Sequence, residues 1–270
     1  MNLDGKTTVV TGAAGGIGAA LARRFHAAGA RVVVADRDAD RLNAVAAELN
    51  AIRPDSALAV VADISSEQGN IDLIEAARSK FGFINLFFAN AGVAVGTTLE
   101  DTDEATWNMV MNINTHAHRW AAKHLMGEWI AAGEGYFCST ASAAGLLSQI
   151  GSGTYSVSKH AAVAFAEWLS ITYGDRGIRV TTLCPQGVNT NMLNPPDASG
   201  IASSGGSAVK ASGAVLEPSE VADIVYQHIL DEKFLVMPHP EVHTYEERKV
   251  ADRDRWLAGM RRLQAKVSGL

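Results

Sequence analysis

Short β-branched segments alternate along this chain with longer alanine-rich segments of helical spacing, and this alternation constrains the fold more than any other feature. The first strand and helix are predicted at 7–11 and 17–28, and the second pair at 31–35 and 39–50. Further strands are predicted at 57–62, 84–89, 135–139, 178–184 and 234–237, and further helices at 67–81, 104–131, 154–173 and 219–230. Seven strands, nearly all followed by helices, predict an α/β fold with one parallel sheet and helices on both faces.

Composition and charge exclude several classes of protein. The 270 residues are 47% hydrophobic and carry a formal net charge of −6, so we expect a sizeable core in one large domain and no nucleic-acid partner. No signal peptide is recognised. Uncharged stretches of membrane-spanning length occur, but polar residues and glycines interrupt the one at 81–99, and we expect no membrane helix. Cys138 and Cys184 lie in apolar segments and are predicted to be buried reduced thiols, which favours a cytoplasmic protein.

Two segments break the alternation. Residues 191–217 are rich in Gly, Ser, Ala and Pro, and we expect a mobile substrate lid there, because so long a loop in a compact domain is usually functional or disordered. Residues 241–270 have a helical pattern with Trp256, Met260 and Leu263 on one face. We therefore expect a single catalytic domain over 1–240, and a packing extension of the same domain over 241–270.

A glycine-rich turn is predicted where the first strand meets the first helix. Gly12, Gly16 and Gly18 have the spacing G-x-x-x-G-x-G at this point. Glycines here let backbone N–H groups and the positive end of a helix dipole approach a pyrophosphate. The alternative is a tight turn that needs small residues for packing alone.

Polar side chains follow the next three strands. Asp36 ends the second strand near the offset at which a carboxylate accepts hydrogen bonds from a ribose diol. Because that carboxylate would repel a 2′-phosphate, the sequence favours NAD over NADP, although Arg37 offers a cation to a phosphate. Asp63 and Asn90 follow the third and fourth strands, where α/β sheets bind ligands, but either residue also fits a simple turn.

Tyr155 and Lys159 are spaced by one turn at the start of a predicted helix. A nearby ammonium favours a phenolate, so we expect the pKa of Tyr155 to fall from about 10 toward neutrality, where a phenol can exchange a proton with an alcohol or carbonyl. Ser142 can donate to a substrate oxygen, but Ser139 and Thr140 are rival hydroxyls. The alternative is an incidental tyrosine and lysine on a helix surface.

The order and spacing of these motifs resemble the short-chain dehydrogenase/reductase family. The resemblance rests on the turn 11–18, the segment 90–92, Ser142, Tyr155 and Lys159. It spans about residues 5–240 and implies a single-domain, Rossmann-like, doubly wound fold. It also implies NAD(P)-dependent oxidation of an alcohol or reduction of a carbonyl, and a homodimer or homotetramer that pairs the helices at 104–131 and 154–173.

The resemblance also assigns roles to single residues. Tyr155 is expected to be the acid–base group, Lys159 to lower its pKa and hold the nicotinamide ribose, and Ser142 to donate to the substrate oxygen. Asn114 is expected to complete a proton relay, with Asn112 as the alternative. The expected cofactor contacts are Gly12, Ala14, Gly16, Ile17, Gly18, Asp36, Arg37, Asp63, Ile64, Asn90, Ala91, Gly92, Tyr155, Lys159, Val188 and Thr190.

One position departs from the family pattern. After the proline that follows the sixth strand the family usually has Gly, whereas this chain has Gln186, which we expect to contact the substrate together with Ser142 and Tyr155. The histidines, among them His118 and His239, form no compact ligand set with carboxylates, so we expect them to be packed or solvated and expect no metal site.

These observations favour an oxidoreductase that transfers a hydride between NAD and a secondary alcohol or ketone. The predicted lid has few charged residues, so we expect an apolar substrate such as a hydroxysteroid, an aryl alcohol or a cyclic alcohol. Two alternatives stay open: a carbonyl reductase on the same scaffold that prefers NADP, and a sensor that binds a dinucleotide without turnover.

Overall fold

A computed structural model describes residues 1–96, 98–193 and 213–268. Its strands are β1 (Thr7–Thr11), β2 (Arg31–Asp36), β3 (Ala57–Val61), β4 (Leu86–Ala89), β5 (Gly135–Thr140), β6 (Ile178–Leu183), β7 (Gly187–Val188), β8 (Val215–Leu216) and β9 (Leu235–Val236). Seven of them form one sheet in the order β3-β2-β1-β4-β5-β6-β9, and every neighbouring pair is parallel. The predicted seven-stranded parallel sheet is confirmed.

Helices follow nearly every strand of the sheet. They are α1 (Gly16–Ala27), α2 (Ala39–Ile52), α3 (Glu67–Phe81), α4 (Glu104–Met111), α5 (Ala117–Ala132), α6 (Ala144–Leu147), α7 (Gly153–Tyr173), α8 (Pro218–Leu230), α9 (Pro240–Ala251) and α10 (Arg253–Ser268). The single turn α6 and the separate parallel pair β7–β8 have no counterpart in the predictions, because elements this short show no periodicity.

The helix predicted over 104–131 is interrupted. Between α4 and α5, Asn112–His116 form a π-helical segment, in which i→i+5 hydrogen bonds accommodate an extra residue. The prediction was therefore right in extent but wrong in assuming continuous α geometry. The segment includes Asn114, whose side chain is fully buried.

The sheet is covered on both faces because neighbouring strand residues point to opposite sides. Val10 and Phe88 belong to a cluster formed with α1 and α8, whereas Val9 and Phe87 belong to a second cluster formed with α3, α5 and α7. All four side chains are at most 1% exposed, and burial of each stabilises the fold by about 1.5–3 kcal/mol. Strand order reverses between β1 and β4, which places a ligand-binding crevice at their carboxyl ends.

The predicted lid lies mostly outside the described residues, which include only its ends, 191–193 and 213–217. The extension contains α9 and α10. Trp256, Met260 and Leu263 are half-buried in α10, and none of the described side chains of this helix is fully buried. Among the described helices, none is long and apolar enough to cross a membrane.

Candidate active site

A cleft of about 1410 Å³ opens at the edge of the sheet, where its lining includes residues that follow four strands. Gly12, Asn90, Ser142 and Pro185 come after β1, β4, β5 and β6 respectively. The cleft is lined by every predicted cofactor residue and by all three predicted substrate residues, whereas Asn114 lies behind it. No group of three or more His, Cys, Asp or Glu side chains suited to a metal ion occurs within the described ranges.

In the turn from β1 to α1, the backbone of Gly18 lies close to the backbone of Gly12. Gly12 and Gly16 have φ values of +67° and +52°, a region that favours glycine. A Cβ on Gly18 would lie 2.1 Å from the carbonyl oxygen of Gly12, so no side chain fits there, whereas Gly15 has open space and extended backbone. Because no described side chain caps α1, its first N–H groups are available to bind an anion such as a pyrophosphate.

Asp36 at the end of β2 is oriented by this turn. Its Oδ2 accepts a hydrogen bond from the Ala14 N–H at 3.1 Å, and its Oδ1 accepts one from the Asp38 N–H at 3.1 Å. The carboxylate is therefore fixed at the rim of the cleft, beside Arg37, which also lines it.

Asp63 and Asn90 line the cleft and also have structural partners. The Oδ1 of Asp63 accepts from the Ser65 N–H at 3.0 Å, and hydrogen bonding with Ser65 lowers the pKa of this carboxyl against the opposing effect of burial. The Nδ2 of Asn90 donates to the Thr11 carbonyl at 2.9 Å, and its Oδ1 accepts from the Thr140 hydroxyl at 2.9 Å. Asn90 thereby clamps the ends of β1, β4 and β5, in addition to facing the cleft.

Three predicted catalytic side chains converge on one side of the cleft. Ser142 lies beside the phenol of Tyr155, which belongs to the first turn of α7. Lys159 follows one turn later; its Nζ donates to the Thr140 carbonyl at 2.9 Å and lies 5.7 Å from the ring centroid of Tyr155. The rival hydroxyls of Ser139 and Thr140 both donate to other side chains of the sheet, so Ser142 is the hydroxyl that accompanies Tyr155.

The electrostatics of this cluster differ from the expectation. Burial raises the pKa of the Tyr155 phenol above its ordinary value, and the hydrogen bond with Ser142 opposes that shift. Burial also lowers the pKa of Lys159 to about 8. The direction of the Tyr155 pKa shift is opposite to the predicted one. The Lys159 ammonium binds the Thr140 carbonyl and lies beside the ring, and its effect on the pKa of Tyr155 stays a prediction.

Asn114 is buried behind the cleft in the π-helical segment. Its side chain exchanges two hydrogen bonds of 2.9 Å with the backbone of Val93 and makes a third, of 3.1 Å, to α7. A Cβ on Gly92 would lie 3.2 Å from the Asn114 Oδ1 and 3.3 Å from the Lys159 Nζ. Asn114, rather than the half-buried Asn112, therefore holds the chain that leaves β4 close to Lys159.

Two buried histidines lie against the site, although sequence reasoning left them as ordinary packed or solvated residues. His239 is 1% exposed; its Nδ1 accepts from the Gln186 N–H at 3.1 Å, and its Nε2 donates to the Gly187 carbonyl at 2.9 Å. It thus holds the backbone that departs from the family pattern. His118 is also 1% exposed, and neither of its ring nitrogens has a partner among the described residues. Burial, assisted by the charge of Lys159, lowers the pKa of His118 to about 3.

A phenol and a hydroxyl side by side near an anion-binding turn suit the chemistry of oxidoreductases that act on CH–OH groups. Comparison with known proteins leads to the same class. Residues 6–199 match the family model described as short chain dehydrogenase. The chain belongs to the short-chain dehydrogenase/reductase family.

Similar proteins support this assignment along most of the chain. The 1-deoxy-11-beta-hydroxypentalenate dehydrogenase of Streptomyces exfoliatus is 34% identical over 247 residues, which cover 89% of this chain and 86% of that protein. The meso-2,3-butanediol dehydrogenase of Serratia marcescens is 32% identical and covers 72% and 76%. A solved short chain dehydrogenase/reductase from Burkholderia phymatum in complex with NAD has a TM-score of 0.86 and 26% identity, covering 94% and 96%. The family, the Rossmann-like fold and the enzyme class expected from the sequence are confirmed.

Proposed function

We propose that this protein transfers a hydride between NAD and a secondary alcohol or ketone, with Tyr155 as the acid–base group. The observation that carries the proposal is the placement of the Ser142 hydroxyl beside the half-buried Tyr155 phenol in the wall of the cleft. A substrate oxygen between these two hydroxyl groups would receive hydrogen bonds at the atom whose charge changes during the reaction. A nicotinamide bound in the same cleft supplies or accepts the hydride.

Tyr155 exchanges one proton with the substrate in each direction of the reaction, and its pKa decides which direction it is prepared for. In ketone reduction, the substrate carbon receives a hydride and its oxygen takes the proton of Tyr155. In alcohol oxidation, the substrate carbon gives a hydride to the nicotinamide and the substrate hydroxyl gives its proton to the Tyr155 phenolate. Because burial raises the pKa of Tyr155, the phenol keeps its proton at neutral pH and is ready to donate it. Alcohol oxidation needs the phenolate, so we expect it to gain from rising pH more than ketone reduction does.

NAD is the cofactor that we propose, because Asp36 faces the cofactor turn. Its carboxylate is fixed by Ala14, and a 2′-phosphate about 4 Å away would be repelled by a few kcal/mol before screening by solvent and salt. Arg37, which lines the same cleft, keeps NADP as the alternative. The solved relative from Burkholderia phymatum binds NAD.

The substrate that we propose is apolar. The lining of the cleft includes Val93, Val95, Ile150, Met192 and Leu193. These side chains suit the hydrocarbon body of a hydroxysteroid, an aryl alcohol or a cyclic alcohol. Relatives are named for alcohols and diols, including a hydroxypentalenate, a butanediol and a 3beta-hydroxysteroid.

A homodimer or homotetramer in the cytoplasm completes the proposal. On α7, Trp168 is 51% exposed and Ile171 is 84% exposed, and pairing with a second copy would cover this apolar surface. Cys138 and Cys184 are free and buried, which suits a reducing compartment.

Tyr155→Phe tests the acid–base role. We expect kcat to fall by about 10³-fold, because the variant loses the proton but keeps the ring, while the Kd for NAD stays close to that of the wild type. Tyr173→Phe, at the far end of the same helix, is the matched control and should keep full activity. Rates are measured by nicotinamide absorbance with a panel of alcohols and ketones. Unchanged turnover in Tyr155→Phe, or cofactor binding with no turnover of any substrate by the wild type, would refute the proposal; the second result would indicate a sensor.

A further inference from the structure

A second cavity, of about 640 Å³, lies beside the cleft and under the C-terminal extension. One wall includes Leu147 and Ile150, from the chain at the end of α6 and before α7. The other wall includes Trp256, Leu257 and Met260 of α10. The extension, which the catalytic chemistry leaves unused, therefore forms one wall of a separate cavity.

Positive charge collects at this cavity. Its lining includes Lys249, Arg253 and Arg261, against the single carboxylate of Glu100 among the described lining residues. None of the three cations has a carboxylate at ion-pair distance within the described ranges. Burial and then the charge of Arg253 lower the pKa of Lys249, and Glu246 opposes them only in part. The described lining of the cavity therefore carries a net positive charge.

Lys249 is held firmly at the cavity wall. Its Nζ donates to the Leu146 carbonyl and lies 3.5 Å from the His160 Nε2. The His160 Nδ1 lies 2.8 Å from the Ser156 carbonyl and must donate to it, so the Nε2 accepts from Lys249. An ammonium has three donors, and a fixed cation loses less conformational entropy on binding than a mobile one.

The cavity and the cleft share a rim. Gln149, Ile150, Gly151 and Ser152 line both of them. Ser152 is the N-cap of α7, and its Oγ accepts from the Tyr155 N–H at 3.3 Å. An elongated ligand that crosses this rim would reach from the cationic cavity to the catalytic phenol.

We infer that the cavity binds the carboxylate end of an apolar substrate whose alcohol or ketone lies at Tyr155. Trp256 and Met260 suit the hydrocarbon body of such a molecule, and Arg253 and Arg261 suit its charge. The inference rests on the proposed function for the reacting end, and it narrows the substrate from an apolar alcohol to an apolar hydroxy acid or keto acid.

The test compares decanoate with methyl decanoate, titrated calorimetrically into the full chain. We expect the wild type to bind the acid about tenfold more tightly than the ester, a difference that added salt reduces. Arg253→Gln combined with Arg261→Gln should abolish the preference. Arg255→Gln combined with Arg262→Gln is the matched control, because it removes the same charge from exposed positions of the same helix outside the cavity lining.

Three outcomes would overturn the inference: equal affinity for acid and ester, no measurable binding of decanoate, or the same loss in both double variants. Turnover of neutral cyclic alcohols, assayed on the same preparations, separates this result from the proposed function. If neutral alcohols are oxidised while decanoate does not bind, only the cavity inference fails. If decanoate binds as expected while no alcohol or ketone reacts, the cavity inference stands as a carboxylate site and the proposed function fails.

Discussion

The two sides of the cleft are built in different ways. On the cofactor side, the close approach of Gly18 to Gly12 and the carboxylate of Asp36 shape the turn, and all three belong to one β–α–β unit. On the substrate side, the backbone at Gln186 depends on the imidazole of His239, which comes from beyond the last strand of the sheet. The comparison teaches that the cofactor turn and Asp36 come from one local unit of the chain, whereas the backbone at Gln186 is held only after distant segments have packed.

Among the variants that compare the two sides of the cleft, Gly18→Ala, on the cofactor side, should have the largest effect. Its Cβ would lie 2.1 Å from the Gly12 carbonyl oxygen and 2.6 Å from the Asn90 Nδ2, so the turn has to move. We expect the affinity for NAD to fall about a hundredfold, or about 2.7 kcal/mol, in a fluorescence titration. Gly15→Ala is the control, because its Cβ would meet nothing within 4 Å. Equal losses in the two variants would contradict a turn set by close approach.

His239→Leu probes the substrate side. The variant leaves the Gln186 N–H and the Gly187 carbonyl without their buried partner, so we expect the free energy of unfolding to fall by about 2 kcal/mol in urea titrations. The KM for the substrate should rise severalfold more than the Kd for NAD changes. His243→Leu, at an exposed position of α9, should change neither quantity. Lower stability with an unchanged substrate KM would reduce His239 to a purely structural residue.

Asp36→Asn tests whether the charge of the residue 36 side chain, rather than its shape, determines the preference for NAD over NADP. The amide keeps an oxygen that can accept from the Ala14 N–H but removes the repulsion of a 2′-phosphate. We expect the ratio of kcat/KM for NAD over NADP to fall about tenfold, or about 1.4 kcal/mol. An unchanged ratio would show that the carboxylate supports the turn without selecting the cofactor.

His118→Gln should have the smallest effect, and this effect concerns the pH dependence of the free energy of unfolding rather than ligand binding. Because folding lowers the pKa of His118 from 6.5 to about 3, its neutral form contributes stability that is complete above pH 6.5 and is lost as the pH falls toward 3. Between pH 7 and pH 6 this loss is about 0.7 kcal/mol in the wild type. The variant should lose that part of the pH dependence in urea unfolding, and the exposed control His243→Gln should keep it. A variant with the wild-type pH dependence would contradict the burial argument.

Sequence patterns were sufficient to predict those parts of the site whose residues are close together along the chain. Periodicity located β1, α1 and β2, and one turn motif then placed Gly12, Gly18 and Asp36 at the same edge. Helical spacing likewise placed Tyr155 and Lys159 on one face of α7.

The remaining features depend on packing that no local pattern encodes. His239 and Gln186 are separated by 53 positions, and nothing in the sequence around either one indicates their contact. The direction of the Tyr155 pKa shift depends on the depth of burial and on the interaction with Ser142, and helical spacing determines neither. The cations of α10 were interpreted only as part of a packing helix, because their cavity appears when that helix lies beside α6.

The π-helical segment Asn112–His116 has a consequence for any change in chain length at this point. One residue more or less in a helix rotates everything beyond it by about 100°. Deleting a single residue here would restore regular hydrogen bonding and, at the same time, swing Asn114 away from Val93. The irregular backbone thus sets the rotation of Asn114 about the helix axis. A shorter, regular helix would turn the same amide away from the Val93 backbone.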